Sequence, residues 1–392
     1  METSIRKLLK FIDSNPSTWK ERLEEKPLSI RIRKHPSKDL YIFKYDMIDT
    51  DFGVDEMTLA CRGCILEIKH RERQTVVCYP MKKFFNRGEK YAAKIDISTA
   101  RAFEKIDGSL IKLYNYEDKW IWATNNGFDA EAELMGFLPV ADEKNTKNAK
   151  TFQDLINAAI DNESVCEAEF YDGLDKEYTY WFELTSPMNR IVLPYEKTKL
   201  WFLGCRSNLT FEERDPIEAK HRFSIPFELP KLLTNEDVES PDFVKRQGIE
   251  GVVLVDKDFN RVKVKTEAYV FAHRIKGEQQ FSEKHLFECI KSGSSDDVVG
   301  LFPEYGELVD KMKSDYSALL EKIKSYVTEA ATKYASIEAI DEKAKKKEFA
   351  EWVMSPNRRT FSPFLFAATK NGSALSALIE KIDYPRFLEL AA

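Results

Sequence analysis

The sequence lacks any apolar run approaching the length of a membrane span. Its N-terminus, METSIRKLLKFIDSN, has no long apolar core followed by a small-residue cleavage site. A membrane-embedded or exported chain is therefore not indicated, and a soluble cytoplasmic protein is expected. An excess of basic residues is also missing: 60 Lys and Arg stand against 66 Asp and Glu, for a net charge of −6. Bulk charge thus announces no nucleic-acid partner, although a local basic groove on an acidic body is still allowed. Cysteine is scarce. Of Cys61, Cys64, Cys78, Cys166, Cys205 and Cys289, only the first two form a C-x-x-C, and no second pair follows at zinc-ribbon spacing. Reduced thiols flanking a strand fit this pattern better than a zinc or redox centre. Internal repeats, low-complexity segments and the aromatic-glycine motif of RNA-binding sheets are likewise absent, which weakens the case for a non-enzymatic RNA-binding protein.

What is present is a chain of 392 residues with 43% hydrophobic and 12% aromatic content, long enough for two domains with a substantial core. Ile5, Leu8, Leu9 and Ile12 recur at helical spacing. From Leu28 to about Ile275 the texture is mainly that of strands: LSIRIRKH, DLYIFKY, GCILEIKH, SLIKLYNY, KWIWAT, YTYWFELT, GVVLVD and RVKVK alternate or are rich in β-branched and aromatic residues. One helix interrupts them at about Phe152 to Ile160, with Thr151 and Asp154 spaced as a capping pair. After about Lys276, Val309, Met312, Tyr316, Leu319, Ile323 and Tyr326 step by three and four and predict a one-sided helix. Further helices are expected around Phe349–Met354 and Ala374–Ile382, punctuated by Ser355-Pro356 and Asn371-Gly372. An α+β domain over 1–275 followed by an all-helical domain over 276–392 accounts for this order. The lysine run at Lys343, Lys345, Lys346 and Lys347 reads first as a solvated helix face.

The chemistry-bearing candidate is Lys105-Ile106-Asp107-Gly108-Ser109, set between RAFE and the strand-like LIKLY. Taken alone, the pentapeptide is better read as a solvated turn. A lysine at its ordinary pKa of about 10.4 exposes only about one neutral amine in a few thousand at pH 7. To serve as a nucleophile it needs desolvation or converging cations. Other segments supply cations and carboxylates: Cys61-Arg62-Gly63-Cys64-Ile65-Leu66-Glu67, then PMKKFFNRGE with Lys82, Lys83 and Arg87, then WFELTSP running into Asn189-Arg190-Ile191-Val192, then IEGVVL, and last Arg261-Val262-Lys263-Val264-Lys265. Alternation puts Lys263 and Lys265 on one strand face, where two cations either splay into solvent or want an anion between them. A triphosphate is the obvious anion. In YTYWFELT the same rule puts Tyr180, Phe182 and Leu184 on one face and Glu183 with Trp181 on the other. Glu250 stands at the edge of an apolar strand.

In this order the segments resemble the covalent nucleotidyltransferases, and most closely the phage RNA ligase 1 family, over roughly Arg62 to Tyr269. KIDGS looks like the nucleotidyl-lysine motif, WFELTSPMNRIVLPY the third motif, IEGVVL the fourth and VKVK the fifth; CRGCILE and MKKFFNRGE resemble two family-specific segments upstream. The resemblance implies a nucleotidyltransferase fold of the ATP-grasp-like ligase kind, with antiparallel sheets and a helical C-terminal domain. It implies an ATP-dependent RNA ligase in which Lys105 takes AMP from ATP, AMP passes to an RNA 5′-phosphate, and a 3′-hydroxyl displaces it. Arg62, Lys83, Lys263 and Lys265 are the implied catalytic cations. The nucleotide site would comprise these with Lys105, Asp107, Gly108, Glu183, Glu250 and Tyr269, and backbone groups of Ile106 with the side chain of Phe182 or Val252 are offered for the adenine. Mg²⁺, or Mn²⁺ in its place, would sit on Glu250, with Asp107 either at the metal water or fixing the turn. Glu183 is left between ribose and metal. Single-stranded or broken structured RNA, tRNA included, is the implied substrate, with Lys343–Lys347 or Arg358 and Arg359 of the tail as its dock. For a phage-encoded chain the compartment is the host cytoplasm. A DNA ligase or capping guanylyltransferase would append a small β-barrel where this sequence turns helical.

Overall fold

The computed structural model describes residues 3–391 apart from 47, 70–73, 135–148, 277–282, 293–294, 296–297, 300–301, 303–304, 339, 370–374 and 376–377. The chain divides into two compact units, Met1–Phe271 and Ala272–Ala392.

Three sheets build the first unit. One is a meander of β1 (Ile30–Lys34), β2 (Leu40–Tyr45), β3 (Arg62–Glu67) and β4 (Thr75–Cys78), paired antiparallel in chain order. The remaining strands are β5 (Phe85–Asn86), β6 (Arg101–Glu104), β7 (Ser109–Tyr116), β8 (Lys119–Thr124), β9 (Tyr178–Thr185), β10 (Lys199–Ser207), β11 (Glu213–Arg214), β12 (Leu232–Leu233), β13 (Gly251–Val255) and β14 (Arg261–Lys265). They form a second sheet in the order β11-β10-β9-β7-β8 and a third in the order β12-β6-β13-β14-β5. The expectation of antiparallel sheets holds except at one edge, where β5 joins β14 in parallel through Val262 and Phe85.

Alternation along the strands sorts the core. Tyr180, Phe182 and Leu184 of β9 face a cluster with Leu155, Ile156, Ala159 and Ile160 of the helix Phe152–Asn162. That helix starts on the expected pair: the Thr151 hydroxyl accepts from the Asp154 N–H at 3.2 Å, and the Asp154 carboxylate accepts from the Thr151 N–H at 3.0 Å. Trp181, on the opposite face of β9, packs with Met81, Phe84, Leu110, Leu203 and Val253 between the second and third sheets. Each such aromatic or aliphatic side chain contributes roughly 1.5–3 kcal/mol on burial. The eight expected strand segments coincide with β1, β2, β3, β7, β8, β9, β13 and β14, although His70 lies outside the described residues. The nine-residue β10 has no counterpart among them. A register shift between Phe202 and Gly204 breaks its alternation, so its sequence does not keep a two-residue period.

In the second unit a 31-residue helix, Gly306–Ser336, buries Val309, Met312, Leu319 and Ile323 along one stripe. The helix Glu342–Val353 follows, and Phe349 and Val353 are its buried residues. The Asn371-Gly372 break lies outside the described residues, as does part of the Ala374–Ile382 segment. Among the described residues no helix is long and apolar enough to cross a membrane, and no three His, Cys, Asp or Glu side chains gather as metal ligands. None of the six cysteines is in a disulfide, and all but Cys166 are buried.

Candidate active site

Lys105 follows β6 and precedes the turn into β7, so its backbone is pinned to the third sheet while its side chain reaches a cavity of about 490 Å³. The Lys105 N–H donates to the Gly251 carbonyl at 2.9 Å. The turn is tight because Gly108 passes directly over β9: a Cβ there would lie 2.3 Å from the Leu184 carbonyl oxygen, a contact only glycine avoids.

Beneath the turn sits Asp107, 2% exposed. Its Oδ2 accepts from the N–H groups of Val192 and Leu193 at 2.8 and 2.7 Å, and its Oδ1 accepts from the Tyr269 hydroxyl at 2.7 Å. Its own N–H donates to the Tyr195 hydroxyl at 3.1 Å. Asp107 therefore ties the lysine turn to the segment after β9 and to Tyr269, and neither Asp107 nor Tyr269 lines the cavity. Tyr269 is buried, its ring beneath the Lys265 ammonium at 4.9 Å. Tyr269, expected in the nucleotide site, here braces the turn, its hydroxyl donating to Asp107. Of the two alternatives for Asp107, fixing the turn is the one this geometry favours.

Glu250 is the electrostatic hinge. Its carboxylate, 2% exposed, accepts from Lys105 Nζ at 2.8 Å through one oxygen and from Lys265 Nζ at 2.9 Å through the other. The nucleophile candidate and a fifth-motif lysine thus share one buried carboxylate. Lys263, two residues from Lys265 on the same face of β14, lines the cavity with its Nζ 5.0 Å from the Phe84 ring. Burial first, and then Arg62, Lys83, Lys105 and Lys265, push its pKa down to about 7. Glu183 points into the same cavity from β9. Burial raises its pKa to about 7, with Lys105 and Arg62 opposing and Glu250 and Asp107 reinforcing the rise.

Arg62 reaches this cluster through a bulge. Along β2 and β3, Phe43 pairs with Cys64, but Lys44 pairs with Arg62, and Gly63 is passed over at φ +83°. The bulge turns Arg62 to the face of Lys44, which looks onto β7 and β8, where it lines the cavity over Phe84 at 5.4 Å. A side chain at Gly63 would strike the Asn125 carbonyl at 2.3 Å. Burial lowers the Arg62 pKa, and its Nη1 is buried without a hydrogen-bond partner among the described residues. Two half-buried cations, Lys263 and an Arg62 with one unsatisfied guanidinium nitrogen, and an apolar wall of Phe84, Leu110 and Val253 describe a receptor for an anion attached to a flat apolar group.

Lys83 stands apart from this cavity. It lines a smaller hollow beside it, with its Nζ 5.1, 5.7 and 5.2 Å from the rings of Tyr45, Phe52 and Phe85. Phe182 and Val252 are fully buried on the faces turned away from the cavity, so they are corrected as adenine contacts; the strand period of two puts Val253 there instead. Two features went unread in the sequence. Glu213 lies between Arg206, at 2.6 Å, and Arg261, a cavity residue, all three nearly inaccessible. Although burial alone would raise the Glu213 pKa, the two guanidiniums hold it below its ordinary value. Lys112 is fully buried, and its Nζ donates to the carbonyls of Gly63 at 2.7 Å and Gly127 at 3.4 Å. A charge inside the apolar run Leu110–Leu113 was the signal for it.

The RNA ligase family model matches residues 60–279, more than half of the chain. The sequence is 28% identical over 343 residues to an RNA ligase of Rhodothermus phage RM378, covering 73% of this chain and 75% of that protein. It is 29% identical over 300 residues to a putative bifunctional polynucleotide kinase/RNA ligase of Autographa californica nuclear polyhedrosis virus, covering 71% of this chain but only 40% of that longer protein. Among solved structures, an archaeal ATP-dependent RNA ligase matches at 14% identity and a TM-score of 0.45, over 88% of this chain and 89% of that one.

Proposed function

The chain belongs to the RNA ligase family, and from that premise we propose that it is an ATP-dependent ligase joining RNA 5′-phosphate and 3′-hydroxyl ends through AMP carried on Lys105. The observation that carries the reading is the position of the Lys105 amine at the cavity, on Glu250, beside Lys263, Lys265 and Arg62. In the first step Nζ attacks the α-phosphorus of ATP; an N–P bond forms, the bond to the bridging oxygen breaks, and pyrophosphate leaves. An oxygen of the RNA 5′-phosphate then displaces the lysine, giving adenylylated RNA. The 3′-hydroxyl attacks the 5′-phosphorus last, and AMP departs.

Phosphoryl transfer of this kind rests on positioning and on neutralising charge. Lys263, Lys265 and Arg62 supply the cations, and a proton taken up by Lys263 on binding triphosphate would strengthen its hold. Glu183 suits the ribose hydroxyls, since burial raises its pKa to about 7 and leaves it partly protonated at neutral pH. Mg²⁺ commonly binds one or two carboxylates together with substrate phosphates. Glu250 with Glu183 fits that donor set, and the ion would supply further neutralisation of the phosphates. Mn²⁺ has the same ligand demands. Lys83 is assigned to the outer phosphates through its neighbour Lys263. A broken structured RNA such as a cleaved tRNA is the proposed natural substrate, docked through exposed lysines of the helix Glu342–Val353.

The test uses the full chain with Mg²⁺ and ATP labelled at the α-phosphate. Label should survive denaturation in the native sequence and vanish in Lys105→Ala. Unlabelled native protein, or undiminished label in the variant, would end the lysyl-AMP reading. Offered 5′-phosphorylated single-stranded RNA and nicked duplex DNA, the labelled protein should join the RNA; preference for the DNA would reassign the substrate.

A further inference from the structure

The cation at Arg62 is the inner end of a row. In the first sheet Arg31 of β1 pairs directly with Lys44 of β2, and Lys44 pairs with Arg62 of β3. Residues directly opposite one another across antiparallel strands share a face. Arg33, two positions beyond Arg31, lies on that face too. Four cations therefore cross the sheet from its edge strand to the cavity wall.

The row emerges where β8 ends. Farther along the same face, Leu40, Ile42 and Ile65 pack against Tyr114, Ala123 and Phe128. At the row itself Arg33 and Lys44 both donate to Asn126, one to its backbone carbonyl and the other to its side-chain oxygen, and the Arg33 guanidinium lies 5.7 Å from the Phe128 ring. Asn126 is exposed and lines the cavity. Asp46 is bonded to Arg31 at the outer end. Among the described residues neither Arg33 nor Lys44 is ion-paired to a carboxylate. Three like charges held side by side on neighbouring strands repel. Lys44, half-buried, responds with a pKa lowered by burial and then by Arg31 and Arg33. Such a row, its inner members without a carboxylate partner among the described residues, is suited to receiving a polyanion.

We infer that the Arg31–Lys44–Arg62 row, with Arg33, is the track along which the sugar-phosphate backbone of single-stranded RNA enters the cavity. This rests on the ligase reading for the identity of the polyanion. Spacing supports a strand over a single phosphate: neighbouring strands lie about 4.8 Å apart, so the row from β1 to β3 spans two such steps and presents its cations one after another. Recognition by such a track is independent of base sequence and sensitive to salt.

The experiment measures binding of a short, labelled, 5′-phosphorylated single-stranded RNA to the full chain across a series of KCl concentrations. Lysyl-AMP formation without RNA is measured in parallel. For Arg31→Gln/Arg33→Gln, the slope of log K against log salt should fall by about 1.4, at roughly 0.7 per released cation on a single strand, and affinity should drop on the order of tenfold. Lysyl-AMP formation should fall far less than RNA joining. Arg31→Lys/Arg33→Lys should keep most of the slope, since it retains both charges without the guanidinium geometry. An unchanged slope in the double variant, with a native protein that binds RNA, overturns the track and leaves the ligase reading standing. Equal loss of lysyl-AMP formation and RNA binding, with a lowered Tm, would also overturn it by making the row a prop for the Asn126 loop. Native protein that binds RNA but takes no label would remove the ligase reading while the slope still decides the track. Native protein that binds no RNA removes both.

Discussion

The two units of the chain handle charge in opposite ways. In Met1–Phe271 charged side chains go inside: Asp107, Lys112, Arg206, Glu250 and Arg261 are all buried. In Ala272–Ala392 the only buried polar side chain among the described residues is Ser295, and the ion pairs, such as Lys324–Glu321 and Arg358–Glu329, lie at the surface. Buried ions are a poor way to gain stability, because desolvation offsets most of the Coulomb attraction. A fold that buries this many of them, with Arg261 and the half-buried Arg62, Lys105, Glu183 and Lys263 lining one cavity, does so for what the cavity binds. The helical unit carries no such cost, and its one-sided stripe along Gly306–Ser336 is sufficient reason for its structure.

The comparison breaks most sharply at Glu213. Glu213→Ala leaves Arg206 and Arg261 buried and unpaired, and should cost about 3–5 kcal/mol by denaturant unfolding; a loss under about 1 kcal/mol would mean the triad is not buried in solution. Next is Lys263→Met. Removing one preorganised cation from developing phosphate charge should slow lysyl-AMP formation by about 10²–10³-fold. Stability should move the other way. Because the folded-state pKa of Lys263 is depressed to about 7, its neutral form favours folding above the unfolded value, and that contribution is lost as pH falls through 7. The ligand-free variant should therefore melt higher than the native chain at pH 6. Equal or lower melting there would show that the lysine is not desolvated. The smallest effect is expected in the tail. Lys346→Ala/Lys347→Ala should change stability by no more than about 0.5 kcal/mol and lower the joining of broken tRNA relative to a generic oligonucleotide; an unchanged ratio would remove this helix from substrate docking.

The same contrast explains what could be read in advance. Periodicity announced the tail helix and the strand faces, because Val309 to Ile323 and Lys263/Lys265 each obey one local rule. The capping pair Thr151/Asp154 was legible for the same reason. Assigning contacts at the cavity needed more than the period. Phe182 and Glu183 are adjacent in sequence, yet only Glu183 looks inward, and choosing between Val252 and Val253 required knowing which face of β13 meets β9. Partners brought together over long separations, such as Arg206 with Glu213 and Arg261, or Asp107 with Tyr269, leave no local mark. Only the resemblance offers Tyr269 as a nucleotide ligand; its hydroxyl is instead the far end of a brace 162 residues long in sequence.

The glycine bulge at position 63 has a bearing on how this strand tolerates change. Arg62 lies on the cavity side only because the bulge alters the parity of β3 at that point. Deleting one residue there would not merely tighten a loop. It would restore even counting, send the guanidinium to the opposite side of the sheet, and leave the inner end of the row without its charge. Removing two residues would keep the parity but shorten the strand. For this segment length is therefore quantised: a chain that has lost the bulge can place an arginine at the same spot in space only by encoding it one position away, where a column-by-column alignment would fail to find it.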